Sequence, residues 1–280
     1  MKRRKERKQK PAQPDFRHMP ATLWRLAKRE LPKEPKRRRR GRPRIPHRNV
    51  MNGLWFILWT GVQWGAIHRE WFGVSKSVLH ERLQTWQREG RWERILRRII
   101  RYYHRQCHIA WQWQVVDSKT VPAPLGGSDT GPNPTDRGKK GAKIHILVDQ
   151  RGVPLTVRLS GANIHDRWYI KALIISVVVP RPGWKQHLTA DKAYDAYDIH
   201  QFVQELGLED HILRRRKRGR PPTKSSAKAP SYRWLVERTL SWFAKRRSVC
   251  TRWSKKAENF LAFLLLTAVT IAHDQAVYCH

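Results

Sequence analysis

The sequence predicts an α/β domain with a mixed sheet over residues 110–280, preceded by an all-α, helix-turn-helix-like region over residues 47–108. Three observations predict it. Apolar residues recur at helical spacing between 47 and 107. Short strand-like runs alternate with helical ones beyond 110. A basic, proline-bearing arm, residues 1–46, precedes both. With 280 residues and 40% apolar composition, the chain can bury a substantial core, in one large domain or two.

The arm places Pro11, Pro14, Pro20, Pro32, Pro35, Pro43 and Pro46 among dense Lys and Arg, a composition expected to be largely disordered. One short helix is expected over 22–30. Val50, Leu54, Ile57 and Leu58 then mark a helix. Leu79, Leu83 and Trp86 mark another, with Ser75 or Ser77 as its N-cap. Trp92, Ile95, Leu96, Ile99, Ile100 and Tyr103 mark a third beyond Gly90. Short turns, one holding Gly73, give the helix-turn-helix-like connectivity. Strand-like runs follow at 113–117, 143–149, 154–160 and 187–190, with helical runs at 166–178 and 197–206 and a short strand at 211–213. Three strands, then helix, strand, helix, strand, is an α/β pattern with a mixed sheet. Residues 214–230 form a basic loop, 231–247 an amphipathic helix, and 257–276 a more apolar final helix.

Charge points to the partner. The chain carries 58 Lys and Arg against 22 Asp and Glu, a net +36, with a pI near 11.2. Nucleic acid is the default partner for such a chain, and an anionic membrane surface is the rival. No apolar stretch follows the N-terminal basic block as a signal peptide requires. The apolar run 260–272 is too short to span a bilayer and reads as a packed helix. Cys107, Cys250 and Cys279 show no paired or metal-type spacing, which fits a reducing cytoplasm without disulfides. The fourteen tryptophans are mainly core, with some available to stack on bases.

Asp117 ends one apolar run and Asp191 another, whereas Glu237 sits in an arginine-rich helical segment. A carboxylate at the end of a buried strand needs cationic compensation. Asp117 is either a metal ligand in the crevice at the strand ends or a turn residue in Asp-Ser-Lys. Asp191 shares its geometry. Glu237 is either a third ligand or an i,i+4 ion-pair partner of Arg233. Two strand carboxylates and one helix carboxylate suit two Mg²⁺ ions.

The segments VDSKTV (116–121), GPNPTDRGKKGAKIHILVD (131–149), GVPLTVRLSGANIHD (152–166), LTADKAYD (188–195) and WLVERTLSWFAKRR (234–247) resemble the DDE transposases of bacterial insertion sequences, in the branch with a short, uninterrupted catalytic domain. The stretch from RRGRPR (39–44) through VMNGLWFILWTGVQW (50–64) to WERIL (92–96) resembles that branch's N-terminal DNA-binding region. The resemblance implies an RNase H-like catalytic fold with Asp117, Asp191 and Glu237 as catalytic and metal-binding triad. It also implies Mg²⁺, with Mn²⁺ as substitute, and hydrolysis and strand transfer at terminal inverted repeats. The partners implied are double-stranded DNA, as element ends and target, and a homodimer or larger synaptic assembly. The implied location is the cytoplasm, at the nucleoid. Arg233 matches the family's Arg four residues before the Glu. The family's Lys seven residues after the Glu falls on Ala244, with Lys245 one later, and its Tyr falls on Pro230, with Tyr232 nearby. Two other readings stand beside it: an inactive DNA-binding derivative, and an RNase H-like nuclease without strand transfer.

Further residues are candidates for DNA contact. The tetrapeptide RGRP at 40–43 has the composition of a minor-groove hook, so Arg40, Arg42 and the adjacent Arg44 are assigned to DNA. A second copy stands at 218–221. Lys76 and Arg82 are candidate groove-facing residues of the helix at 75–89, as are His80, Gln84 and Gln87. Lys139, Lys140 and Lys143 lie in a Gly-bearing loop that either grips phosphates or is a solvated turn. Arg233, Arg238 and Lys245 complete the set. Asp166 is expected to cap the following helix, with His165 near the metal site.

Overall fold

The computed structural model describes residues 16–34, 44–215 and 232–279. The helical region holds α1 (Ala21–Ala27), α2 (His47–Thr60), the short α3 (Arg69–Phe72), α4 (Lys76–Arg88) and α5 (Arg91–Cys107). Helix α5 shows why: Trp92, Ile95, Ile99, Ile100 and Tyr103 are buried along one stripe, while Arg94, Arg97 and Arg101 face out. The α3–α4 turn needs Gly73, whose φ of 67° is left-handed and where a Cβ would stand 3.0 Å from Asn49. Ser75 occupies the N-cap of α4 but makes no side-chain capping bond.

Two expectations need correction here. Residues 16–34 are not a loose arm. Met19, Leu23 and Ala27 are buried, Arg91 of α5 donates to the Glu30 carbonyl at 3.1 Å, and Arg98 pairs with the Glu30 carboxylate. Enough apolar side chains sit among the charges for this segment to join the core. The cysteines are the second correction. Cys107 and Cys279 form a disulfide with Cα atoms 5.9 Å apart, leaving Cys250 free and exposed. A sequence separation of 172 hides the pair from any spacing rule.

The second region contains β1 (Trp113–Pro122), β2 (Gly131–Pro132), β3 (Lys140–Val148), β4 (Pro154–Gly161), α6 (Arg167–Ile175), β5 (Gln186–Ala190), α7 (Tyr197–Glu205), β6 (Leu208–Ile212), α8 (Arg233–Ala244) and α9 (Ala257–Val277). Setting aside the two-residue β2, the strands lie in the order β4-β3-β1-β5-β6. The β4-β3-β1 half is antiparallel and the β1-β5-β6 half parallel. This is the mixed sheet of the RNase H-like fold. Strands β3 and β5 carry near-continuous buried runs, as strands covered on both faces do.

Helix α9 packs against α5, α4 and β4 and so joins the helical region to the sheet. By length and composition α9 could cross a membrane, which corrects the view of that segment as too short. Its burial, 78% of the apolar window, makes it the core helix of this fold. A second joint is Asp149, fully buried, which accepts hydrogen bonds from the Tyr103 hydroxyl at 2.7 Å and from the backbone amides of Ala110, Arg151 and Val153. Those donors satisfy the carboxylate that burial would otherwise penalise.

Candidate active site

Register alone brings the two aspartates together. The parallel ladder of β1 and β5 closes at the pair Val116–Ala190. The next residues on the neighbouring strands are Asp117 and Asp191, with a backbone spacing of about 4.8 Å. Strand β1 does not end at Asp117, as the sequence suggested. It runs on to Pro122, paired with β3. Asp117 therefore stands where β1 loses its parallel partner, and that opening is the crevice. Each carboxylate is aimed by the next backbone amide: Asp117 accepts from Ser118 at 2.8 Å and Asp191 from Lys192 at 2.6 Å.

Helix α8 packs on β1 and β3 and supplies the third carboxylate. The Arg233 guanidinium lies 4.0 Å from Asp117, 3.7 Å from Asp191 and 3.8 Å from Glu237. One helical turn thus sets Arg233 among the three acids and Glu237 at the mouth, with its side chain 59% exposed. The ion pair of Glu237 with Arg233 is present, and the same guanidinium reaches both aspartates.

Electrostatics favour a further cation. Burial pushes the Asp117 carboxyl up to about 6, the Ser118 amide and Arg233 partly offset this, and Asp191 and Asp166 add to it. Tyr194, in the 3-10 turn after Asp191, is buried, with its hydroxyl close to the Ser118 side chain. Its ionisation is driven far up by burial and by the Asp166, Asp117 and Asp191 carboxylates. Three carboxylates against one guanidinium are a hard oxygen donor set with net negative charge. Such a set fits a divalent cation.

Asp166 departs from expectation. It holds the N-cap position of α6 without a side-chain capping bond. Its carboxylate instead accepts from Ser118 Oγ at 2.7 Å and lies 3.1 Å from Lys143 Nζ and 3.6 Å from His145 Nδ1. Lys143 is consequently not in a loop. It belongs to β3, with Nζ also donating to the Ile164 carbonyl at 2.8 Å. Lys140 opens β3 and Lys139 precedes it, both exposed. His165 is exposed, 3.3 Å from Arg215.

Arg238 donates to the Arg151 carbonyl, and its guanidinium lies 4.9 Å from both the Trp234 and Trp242 rings. Lys245 is exposed just beyond α8, Lys76 is exposed at the start of α4, Arg82 is half-buried and Arg44 is exposed. His80 and Gln87 are engaged within the protein, with Asn259 and Glu93 respectively. Arg40, Arg42 and the second RGRP copy lie outside the described residues. Sequence reasoning missed Tyr194 and Ser118 as site residues. The available signal was their position: Ser118 directly follows Asp117, and Tyr194 stands three residues after Asp191.

The mixed sheet, with Asp117 and Asp191 on neighbouring strands and Glu237 on the helix that covers them, is the arrangement of an RNase H-like domain. The chain belongs to the transposase DDE domain family, whose pattern matches residues 113–271. Residues 19–96 match a second family, described as "Putative transposase of IS4/5 family". Among curated relatives, the chain is 34% identical over 159 residues to the "Putative transposase for insertion sequence element IS402" of Burkholderia cepacia, covering 54% of this chain and 70% of that protein. It is 30% identical over 108 residues to the transposase for insertion sequence element IS1106 of Neisseria meningitidis serogroup B, covering 36% of this chain and 35% of that protein. Among solved structures, the piggyBac transposase synaptic complex with hairpin DNA matches with a TM-score of 0.46 at 12% identity, over 68% of this chain and 50% of that one. The Mos1 mariner paired end complex with Mn matches with a TM-score of 0.29 at 12% identity, over 86% of this chain and 82% of that one. DDE transposase domains as a class use divalent metal ions.

Proposed function

We propose that this chain binds the terminal inverted repeats of an insertion element, hydrolyses a phosphodiester there, and uses the freed 3′-hydroxyl to attack target DNA. The observation that carries this reading is the convergence of Asp117, Asp191 and Glu237 on Arg233. The three carboxylates would hold two Mg²⁺ ions, for which Mn²⁺ substitutes. Ions of this kind, when bound, activate the attacking oxygen and neutralise charge on the leaving one.

The chain's own residues do the rest by position. The Ser118 and Lys192 amides each occupy Oδ1 of their aspartate, which leaves Oδ2 without a backbone donor. Arg233 holds the three acids in a common orientation, so little reorganisation is needed at reaction. Tyr194 keeps its proton and offers a donor beside Asp117. Lys139 and Lys140 supply cations for DNA phosphates, and the Trp234–Arg238–Trp242 stack gives α8 a flat cationic surface for a strand. Arg44, Lys76 and Arg82 of the helical region, with Arg40 and Arg42, recognise the element ends. Lys143, held by Asp166, acts through that carboxylate. Two ends must be brought together, so the working assembly is a dimer or larger, at the bacterial nucleoid.

The test is incubation of purified protein with element-end and target DNA. Mg²⁺ or Mn²⁺ should yield cleaved and joined strands, and EDTA should abolish both. Cleavage that persists in EDTA would refute the mechanism. Cut but unjoined DNA would leave a nuclease, and binding without cleavage under every metal condition an inactive derivative.

A further inference from the structure

The geometry points to a second metal site in this protein, formed by His187, Glu209 and His211, which takes one first-row transition ion of the Zn²⁺ type. The strands build it. His187 on β5 pairs with Glu209 on β6, and His211 lies two residues further along β6, on the same face as Glu209. Their donor atoms all lie within 4.8 Å of one another. His187 Nδ1 is 2.7 Å from Glu209 Oε2 and 2.9 Å from His211 Nε2, and the latter two are 3.7 Å apart. Ligand atoms around one ion with bonds of about 2.0–2.2 Å are separated by roughly 3.0–3.5 Å.

Two imidazoles and one carboxylate leave an open coordination position and favour a transition ion over Mg²⁺, which wants oxygen. The site is distinct from the carboxylate trio. His187 lies four residues before Asp191 on β5, about 13 Å along the strand. Lys185 pairs with the other oxygen of Glu209, Oε1, and leaves Oε2 to the histidines.

The surroundings give the ion a structural consequence. His187 stacks on Trp113 with ring centroids 4.4 Å apart, and Trp113 lies 4.4 Å from the Tyr232 ring. Tyr232 is the N-cap of α8, the helix that carries Arg233 and Glu237. An ion joining β5 to β6 therefore fixes the platform on which the third carboxylate's helix begins.

The experiment is equilibrium Zn²⁺ titration of the full chain against a chromophoric chelator, in millimolar Mg²⁺ to occupy the carboxylate trio. One Zn²⁺ per chain is expected. His187→Ala, His211→Ala and Glu209→Gln should each weaken it by about 100-fold or more. Lys185→Ala should retain binding or tighten it, since it frees Glu209, and Asp191→Asn should leave it unchanged. Zn²⁺ should also raise the melting temperature of the wild-type and Lys185→Ala proteins. Glu209→Gln, at a half-exposed position, covers the event that a histidine variant fails to fold. Absence of bound Zn²⁺ in Mg²⁺-saturated protein would overturn the proposal. So would binding that survives Glu209→Gln and disappears in Asp191→Asn.

Discussion

Replacing Asp117 by Asn should make the metal-free protein more stable at neutral pH while removing a catalytic group. The folded protein holds this carboxyl near 6 against an ordinary value of 3.8. Between those values the folded chain binds the proton more tightly than the unfolded chain, so stability falls as pH rises. The contribution is fully present below 3.8 and is lost by about 6. A difference of about two pKa units corresponds to about 3 kcal/mol at pH 7. The figure needs little discount for solvent, because the side chain is only 17% exposed, and it is already net of Arg233. The amide keeps the shape and the bond from the Ser118 amide but carries no charge. In EDTA at pH 7.5, Asp117→Asn should melt roughly 6–10 °C above wild type. The gap should close near pH 4, where both side chains are neutral. Millimolar Mg²⁺ should narrow it at pH 7.5 by stabilising wild type alone. Differential scanning calorimetry across pH decides the matter. An Asn variant that melts at or below wild type at pH 7.5, or a gap independent of pH, would refute the reasoning.

Three further outcomes follow from the same structure. Arg233→Lys should retain end binding but reduce cleavage about 100-fold, because a point ammonium cannot hold three carboxylates as a fork does; a band-shift and cleavage assay on one preparation separates the two. Arg252 is fully buried and donates to the Asp129, Ser254 and Lys255 carbonyls at 2.8, 2.9 and 3.1 Å and to that of Ser128. Arg252→Ala should therefore cost about 3–4 kcal/mol in urea unfolding, by stranding several carbonyls at the entry to α9. Thiol titration of the unfolded, unreduced chain should find one free cysteine, Cys250, and three after reduction.

Much of this fold was legible because its signals are local. The stripe of α5, the apolar runs of β3 and β5 and the acid at each strand's apolar limit are visible in short windows of sequence. Long-range pairing was not. Cys107 and Cys279 meet only because α5 packs along α9. Asp166 looked like a helix cap, its commonest use, until Ser118 and Lys143 were brought to it from β1 and β3. Residues 16–34 looked like a basic arm because their few apolar side chains, Met19, Leu23 and Ala27, show their purpose only against the helices they cover. Glu237 is the instructive case. Its spacing from Arg233 gave an ordinary ion pair. Only the packing of α8 on β1 turns that pair toward two aspartates.

The central claim is that these three carboxylates act together on one phosphodiester. The most direct measurement is cleavage of element-end DNA in Mg²⁺ by purified Asp117→Asn, Asp191→Asn and Glu237→Gln, with end binding measured on the same samples. All three should bind the ends and none should cut. Cleavage retained by any one of the folded variants would contradict the claim.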